Sequence, residues 1–284
     1  MKRIFAYPYI VWLAIFIVAP LLLVLYYSLT TVGEGGGAAF TLEHYARFFE
    51  GAYPGQPFLE RIYVSVMVKS VWLALISTAV CFALGYPVAY IMAGREYENK
   101  SFLLFLFLVP MWMNFLLRTY AWLTILEQNG VLNMLLSFLR LPKTDMLYTD
   151  QAVVLGMVYN FLPFMILPIY TSLKKMDASL IEAAQDLGAN QRTVFTRLVF
   201  PLSLPGVVSG VTMVFMPGVT TFIISNLLGG GQYFLIGNLI EQQFLKVGDW
   251  RFGSAISVIL LALILISMGV FKMVDKEQNE RVLI

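Results

Sequence analysis

Six apolar stretches, each long enough to cross a lipid bilayer, constrain this chain more than any other feature of its sequence. A membrane-spanning helix needs about 20 consecutive, mainly apolar residues. The stretches that meet this requirement lie at 8–29, 64–92, 102–124, 152–173, 206–228 and 252–272. With 59% hydrophobic and 13% charged residues among 284, the chain falls outside the composition of soluble globular domains. We predict an all-α integral membrane protein with about six transmembrane helices in a single domain, 1–284.

The first stretch, 8–29, is compatible with either a spanning helix or a cleaved signal peptide. Basic residues precede it, as they do in secretory signals, but its apolar run is about 20 residues long and no small-x-small cleavage site closes it. We therefore predict a retained span, with a cleaved signal as the alternative.

The distribution of Lys and Arg predicts the orientation of the spans. If the N-terminus lies inside the cell, the inside segments carry 11 of the 19 basic residues in less loop length than the outside segments. The inside set is Lys2, Arg3, Arg95, Lys100, Lys174, Lys175, Arg192, Arg197, Lys272, Lys276 and Arg281. The positive-inside rule then places both termini in the cytoplasm. The net charge of +2 gives no argument for binding nucleic acid.

A polar segment between the fourth and fifth apolar stretches predicts two short helices. Ser179 and Glu182 have the S-x-x-E spacing of a capping box, which marks a helix start. Gly188 can adopt the left-handed conformation that ends a helix. Asn190 is predicted to cap a second helix, which Pro201 then ends. A short helix, a tight turn and a second helix leading to the membrane should result.

The spacing in this segment resembles the EAA loop in the membrane subunits of ABC importers. That pattern is Glu-Ala-Ala, three residues, Gly, nine residues, then Ile-x-Leu-Pro. Here Glu182-Ala183-Ala184 is followed at the same intervals by Gly188 and by Leu198-Val199-Phe200-Pro201, with large apolar residues replacing Ile and Leu. The resemblance implies that loop 174–201 forms a coupling helix for an ATP-binding subunit. The implied coupling residues are Glu182, Ala183, Ala184, Gly188, Leu198 and Pro201.

Most of the chain after about residue 40 resembles the polyamine branch of these importers, the permeases of spermidine/putrescine systems. The resemblance is carried by LGYPVAY (84–90), VPMWMNFLLRTYAW (109–122), the segment 158–189 and the segment 226–255. It implies a type I ABC importer permease in the bacterial inner membrane. The implied partners are a homologous second permease subunit, a cytoplasmic dimer of ATP-binding subunits and an extracytoplasmic solute-binding protein. ATP and magnesium would then belong to the partner ATPase, and this chain would carry neither a cofactor nor a catalytic residue.

The sequence LGGGQ at 228–232 resembles the LSGGQ motif of ABC ATPases. The chain lacks G-x-x-x-x-G-K-[ST], and indeed any Gly-Lys pair, so it has no phosphate-binding loop. The predicted topology also puts this sequence outside the cell. We interpret it as a glycine-rich outer loop, so a separate ATPase is required.

Polar and aromatic residues near Pro110 and Pro163 are the candidates for a substrate path. Prolines free backbone carbonyls, and aromatic faces attract cations. The candidates are Trp112, Asn114, Tyr120, Tyr159 and Asn160. Hydrogen bonding and packing between helices are the alternative role for each of them. Lys69 and Arg118, the basic residues within spans, are predicted to reach the membrane interface along their own stems.

Other substrates and other classes stay open at this point. Related importers carry thiamine, iron, sulfate or opines, and no acid of this chain lies deep in a span to bind a polyamine. The partner permease would then supply the acids, or aromatic and carbonyl groups would suffice. An ion-coupled secondary transporter would need buried acid or His relays. A membrane-anchored assembly factor would need the polar helix but no cavity.

Neither Cys81 nor His44 has metal-ligand spacing.

Overall fold

The structure is a computed structural model that describes residues 7–32, 37–50, 61–94, 100–231 and 233–282. Its helices are α1 (Tyr7–Leu13), α2 (Ala19–Ser28), α3 (Glu43–Glu50), α4 (Ile62–Ala93), α5 (Lys100–Trp112), α6 (Phe115–Leu126), α7 (Val131–Phe138), α8 (Asp150–Lys174), α9 (Ala178–Asp186), α10 (Gln191–Val194), α11 (Phe200–Thr220), α12 (Ile223–Leu228), α13 (Ile236–Glu241) and α14 (Trp250–Val282). Three π-helical segments, Ala14–Val18, Phe195–Val199 and Gln242–Val247, join neighbouring helices. Strands β1 (Thr30–Val32) and β2 (Ala38–Phe40) form an antiparallel pair.

Some sequence features lie outside the described residues. They are Lys2, Arg3 and Arg95 of the basic set, together with Gln232 of LGGGQ. The side chains of Lys100, Lys276 and Arg281 are likewise outside the description.

Five helical segments of the described chain are long and apolar enough to cross a membrane. They are Pro8–Ser28, Ile62–Ala93, Asp150–Lys174, Gln191–Thr220 and Trp250–Met273. Four of them match predicted stretches closely, so the all-α membrane fold is confirmed. The third and fifth predicted stretches differ in ways that have a clear physical cause.

The third stretch, 102–124, is two helices rather than one. Asn114 has an extended ψ of 133°, and its side chain accepts a hydrogen bond from the Leu116 N–H, which caps α6. Pro110 lies in the last turn of α5, just before the break. The prediction of one continuous span was wrong because a two-residue interruption leaves the hydropathy of the whole stretch unchanged.

The fifth span begins and ends earlier than 206–228, and Pro201 does not end the helix before it. Between α10 and α11 the backbone shifts to π-type bonding, in which the Phe200 N–H donates to the Phe195 carbonyl. Pro201 therefore falls in the first turn of α11. A proline is tolerated there because the N–H that it lacks would not be needed for a helical hydrogen bond. The helix instead ends at Thr220, because Thr221 is extended with ψ 135°.

The chain divides into two compact units, residues 1–68 with 236–265, and residues 69–235 with 266–284. The single-domain interpretation of the sequence stays a prediction. In the first unit, Arg47 of α3 forms an ion pair of 2.8 Å with Asp249 and lies 4.0 Å over the Phe252 ring. Phe48 is fully buried and stacks on Tyr63. These contacts fix α3 to the beginnings of α4 and α14.

The second unit has a core built on the close approach of α8 and α11. A Cβ on Gly206 would lie 2.7 Å from the Pro168 carbonyl oxygen, and one on Gly210 would lie 3.1 Å from that of Met165. Small residues of this kind let transmembrane helices pack backbone to backbone. The polar loop leaves α8 at one end and enters α11 through α10 at the other. The packing of α8 against α11 therefore holds both ends of the loop.

Candidate functional site

Helix α9 begins at a different cap from the one predicted. The Asp177 side chain accepts a hydrogen bond of 3.0 Å from the Ser179 N–H, and the helix runs from Ala178 to Asp186. Ser179 is therefore inside the first turn, and the Ser179–Glu182 capping box was wrong. A carboxylate at the N-cap satisfies a free N–H and also interacts favourably with the helix dipole.

The end of α9 follows the prediction in detail. Gly188 is left-handed with φ +83°. Its N–H donates to the Gln185 carbonyl at 2.8 Å, and the Ala189 N–H donates to the Ala184 carbonyl at 3.0 Å. These two bonds define a Schellman motif. The Asn190 side chain then accepts from the Thr193 N–H at 2.8 Å, which confirms the second cap.

Helix α9 has one face on the protein and one face outward. Ile181 and Ala184 pack against the core of the second unit. Leu180, Ala183 and Leu187 are exposed at intervals of three and four residues, so they lie along one side of the helix. Leu187 is 90% exposed. We call these three residues the exposed face of α9; their spacing was visible in the sequence, but Leu180 and Leu187 were not singled out.

The remaining loop residues have different positions. Glu182 is exposed on α9. Leu198 and Pro201 are half-buried, Leu198 in the π-helical segment and Pro201 in α11, and Leu198 packs against the core. The structure thus places the Glu-Ala-Ala-Gly part on the outward helix and the Leu-Pro part in the helix that leads back into the membrane-spanning bundle.

An aromatic cluster connects this returning helix to α4. Phe195 contacts Tyr86 and Tyr90 edge to face, with ring centroids 5.9 and 5.4 Å apart, and Phe200 lies 5.6 Å from Tyr86. The Tyr86 hydroxyl is also hydrogen-bonded to the Ser203 hydroxyl at 2.9 Å. Edge-to-face pairs of this kind are directional contacts. These contacts tie the helix that follows the polar loop to α4.

A second feature is a groove of about 660 Å³ in the second unit. Two helix faces line most of it, one from α4 and one from α8. The α4 side includes Trp72 and Leu84, and Tyr159 on the α8 side meets Trp122 edge to face, with ring centroids 5.3 Å apart. The walls are mainly apolar and aromatic, apart from an ionic group at one end.

Lys69 and Asp150 form that ionic group. The Lys69 Nζ lies 3.1 Å from Asp150 Oδ1 and 4.2 Å from the centroid of the Tyr233 ring. A carboxylate and an aromatic face within the unit thus hold the Lys69 ammonium group. That Lys69 extends along its stem to the membrane interface stays a prediction. Asp150, at the first turn of α8, was missed in the sequence because its partner is far away in the chain.

The five substrate-path candidates do not share one environment. Of the five, only Tyr159 lines this groove. Asn114 is the N-cap of α6, and Asn160 is buried, with its Nδ2 donating to the Gly156 carbonyl at 2.9 Å. Trp112 and Tyr120 are exposed. Roles for all five in the substrate path stay predictions.

Arg118 is buried, with only 8% of the residue exposed. That its guanidinium group reaches the membrane interface along its stem stays a prediction. Among the described residues its Nε has no hydrogen-bond partner.

Within the described ranges, no group of three or more His, Cys, Asp or Glu residues is arranged to hold a metal ion.

This fold is that of a membrane protein in which an outward polar helix lies between two closely packed spans. Residues 3–279 match the family described as binding-protein-dependent transport system inner membrane component. The chain belongs to this family and is a multi-pass inner-membrane protein. The resemblance to importer permeases is thereby confirmed, and the ion-coupled secondary transporter is left without support.

Two relatives and one solved structure show how far the similarity extends. The spermidine/putrescine transport system permease protein PotB of Escherichia coli K12 is 36% identical over 275 residues, 95% of this chain and 96% of the relative. PotB of Haemophilus influenzae is also 36% identical, over 95% of this chain and 93% of its own length. A chain of a bacterial alginate ABC transporter, crystallised with its pentasaccharide-bound periplasmic protein, matches with a TM-score of 0.78 over 95% of this chain and 92% of that chain. At 15% identity, this last match shows the fold alone.

Proposed function

We propose that this chain is a permease subunit of an ATP-driven polyamine importer and moves spermidine or putrescine into the cytoplasm. The observation that carries the proposal is 36% identity over 95% of the chain to permeases of spermidine/putrescine systems. The EAA spacing on an outward helix supports the same class. Thiamine, iron, sulfate and opines are the competing substrates.

In this proposal α9 is the coupling helix. Its exposed face, Leu180, Ala183 and Leu187, is an apolar surface in a region that the proposed topology places in the cytoplasm. Glu182, which is also exposed on α9, would pair with a basic residue of the ATPase. ATP binding would close the ATPase dimer and shift α9, and the spans would then open outward by alternating access.

The proposed assembly contains four kinds of component. A homologous second permease subunit would complete the translocation path, and a dimer of cytoplasmic ATP-binding subunits would hold ATP and magnesium. An extracytoplasmic solute-binding protein would deliver the substrate. Both termini of this chain would be cytoplasmic. The most apolar 18 residues of Pro8–Ser28 are not buried inside this chain. This exposed apolar surface supports contact with lipid or with another subunit.

The test is uptake of radiolabelled spermidine and putrescine by vesicles that contain the complete importer, with the binding protein supplied on the substrate side. We expect ATP-dependent uptake that unlabelled polyamine suppresses. Thiamine, sulfate, ferric iron and an opine are each added in excess as competitors. Absence of polyamine uptake, with transport of one of these solutes instead, would contradict the substrate but keep the class.

A further inference from the structure

The ion pair at the end of the groove places an ammonium group between a carboxylate and an aromatic ring. Lys69 Nζ is held by a carboxylate oxygen at 3.1 Å and by the face of the Tyr233 ring at 4.2 Å from its centroid. A carboxylate and an aromatic face are the two protein groups that bind an alkylammonium ion most effectively. The lysine side chain is itself an alkyl chain ending in a primary ammonium group. The structure therefore holds an occupied ammonium site, with a residue of the protein as its occupant.

The glycine-rich turn that resembled an ATPase motif builds this site. Gly230 and Gly231 both have left-handed φ angles, +60° and +71°. A Cβ on Gly230 would lie 2.4 Å from a ring carbon of Tyr148, so only glycine lets that ring lie against the turn. The Tyr148 N–H also donates to the Leu228 carbonyl at 2.9 Å. The turn thus fixes the chain just before Asp150 and, on its other side, carries Tyr233.

The groove beside this site suits the rest of a polyamine. Its α4 side runs from Lys69 to Leu84, which is about 22 Å along a helix at 1.5 Å per residue. Apolar side chains along it can contact methylene segments. The rings of Trp72, Trp122 and Tyr159 line the same groove and offer faces to further ammonium groups. One end of the groove binds an ammonium ion, and its walls fit an alkyl chain.

We infer that Asp150 and Tyr233 form a binding site for a terminal ammonium group of the substrate, and that Lys69 occupies this site between substrates. The inference rests on the proposed polyamine function. An arriving polyamine would exchange its own ammonium for that of Lys69, so the carboxylate would not be left unpaired during the exchange. In the proposed topology the site lies at the outer end of the spans, where a substrate released by a binding protein would enter.

The test is the maximal uptake rate of radiolabelled spermidine at saturating concentration in vesicles containing the complete importer. Saturation removes capture by the binding protein as the limiting step. The variants are Asp150→Asn, Lys69→Met and the two combined. The matched controls are Asp145→Asn and Lys143→Met, exposed residues of the segment before α8 that do not line the groove. Retention of the ATPase on each purified variant checks assembly.

The ammonium-site inference predicts unequal effects for the two partners. Asp150→Asn should lower the maximal rate about tenfold or more, the scale of a lost charge-assisted contact. Lys69→Met should lose much less of the rate than Asp150→Asn, and the double variant should be as slow as Asp150→Asn. Tyr233→Phe, which keeps the ring face, should transport better than Tyr233→Leu.

Three outcomes would overturn the inference. Equal losses in both single variants, with recovery in the double variant, would show a purely structural ion pair. An unchanged rate in Asp150→Asn would show that the groove holds something other than substrate, such as lipid or a helix of the second permease. Wild-type vesicles without any polyamine uptake would overturn the proposed function itself, which the first two outcomes would leave intact.

Discussion

The hydroxyl groups of Tyr86 and Ser203 lie 2.9 Å apart and join α4 to α11 just beyond the polar loop. Both residues are buried. Phe195 also contacts Tyr86 and Tyr90. If α9 is the coupling helix, as proposed, movement of α9 would reach α4 through these contacts.

Tyr86→Phe tests this mechanical link. The variant keeps the ring contacts and removes only the hydrogen bond, so we expect a loss of about 0.5–1.5 kcal/mol of unfolding free energy. If the bond transmits movement, the amount of ATP hydrolysed per substrate transported should also rise. Tyr90→Phe, whose ring contacts Phe195 at a more exposed position, is the control. An unchanged ATP-to-substrate ratio in Tyr86→Phe would limit the bond to a role in stability.

Leu187→Ala tests the exposed face of α9. Leu187 is 90% exposed, so truncating it should leave the permease folded. If the ATPase covers this face, the lost burial amounts to about 1–2 kcal/mol, or roughly tenfold in the dissociation constant of the ATPase. Gln185→Ala, on the same helix but outside the exposed face, is the matched control. Equal affinities for the two variants, measured by titrating purified ATPase, would show that Leu187 stays in water.

Gly206→Ala tests the close packing of α8 and α11. The added methyl group would meet the Pro168 carbonyl oxygen at 2.7 Å, and backbone atoms have little freedom to move away. We expect a lower melting temperature in detergent, with a loss of about 1–3 kcal/mol. Gly269→Ala in α14 is the control, because nothing lies within 4 Å of its added methyl group. That variant should be neutral or slightly stabilised, since alanine favours a helix.

The Arg47–Asp249 pair should give a pH-dependent contribution to stability. Burial acts to raise the pKa of the Asp249 carboxyl, but hydrogen bonds from the Phe252 N–H and from Arg47 outweigh it, and the pKa lies below its usual value. A lowered folded-state pKa stabilises the fold above the unfolded value of about 3.9, and this contribution disappears as the pH falls through the folded value. Asp249→Asn should therefore lower the melting temperature at pH 7. The difference from wild type should shrink as the pH falls below about 4; a constant difference would contradict this assignment.

The polar loop was predictable because its signals are local. Gly188 and Asn190 have the conformations and caps that their residue types favour, and the EAA spacing lies within about 20 residues. The N-cap was missed because Asp177 and Ser179 both suit a helix start, and only the backbone shows which of them the chain uses.

The groove was not predictable in the same way. Lys69 and Asp150 are 81 positions apart, 150 minus 69, and no local pattern pairs them. The cap at Asn114 was not predictable because it depends on a break in the helix, which an apolar stretch conceals. The continuation of the helix through Pro201 was not predictable either, because a π-helical turn that admits a proline leaves no clear signal in the sequence.

The most direct test of the central claim, that α9 couples this permease to an ATPase, is retention of the ATPase by the detergent-solubilised complex. Gly188 has φ +83°, and a Cβ there would meet nothing within 4 Å. A substitution therefore acts through backbone conformation alone, and Gly188→Val can be compared with Gly188→Asn, because asparagine tolerates the left-handed region and valine does not. We predict that wild type and Gly188→Asn retain the ATPase while Gly188→Val loses it with normal membrane insertion. Equal retention by all three would contradict the assignment of α9 as the coupling helix.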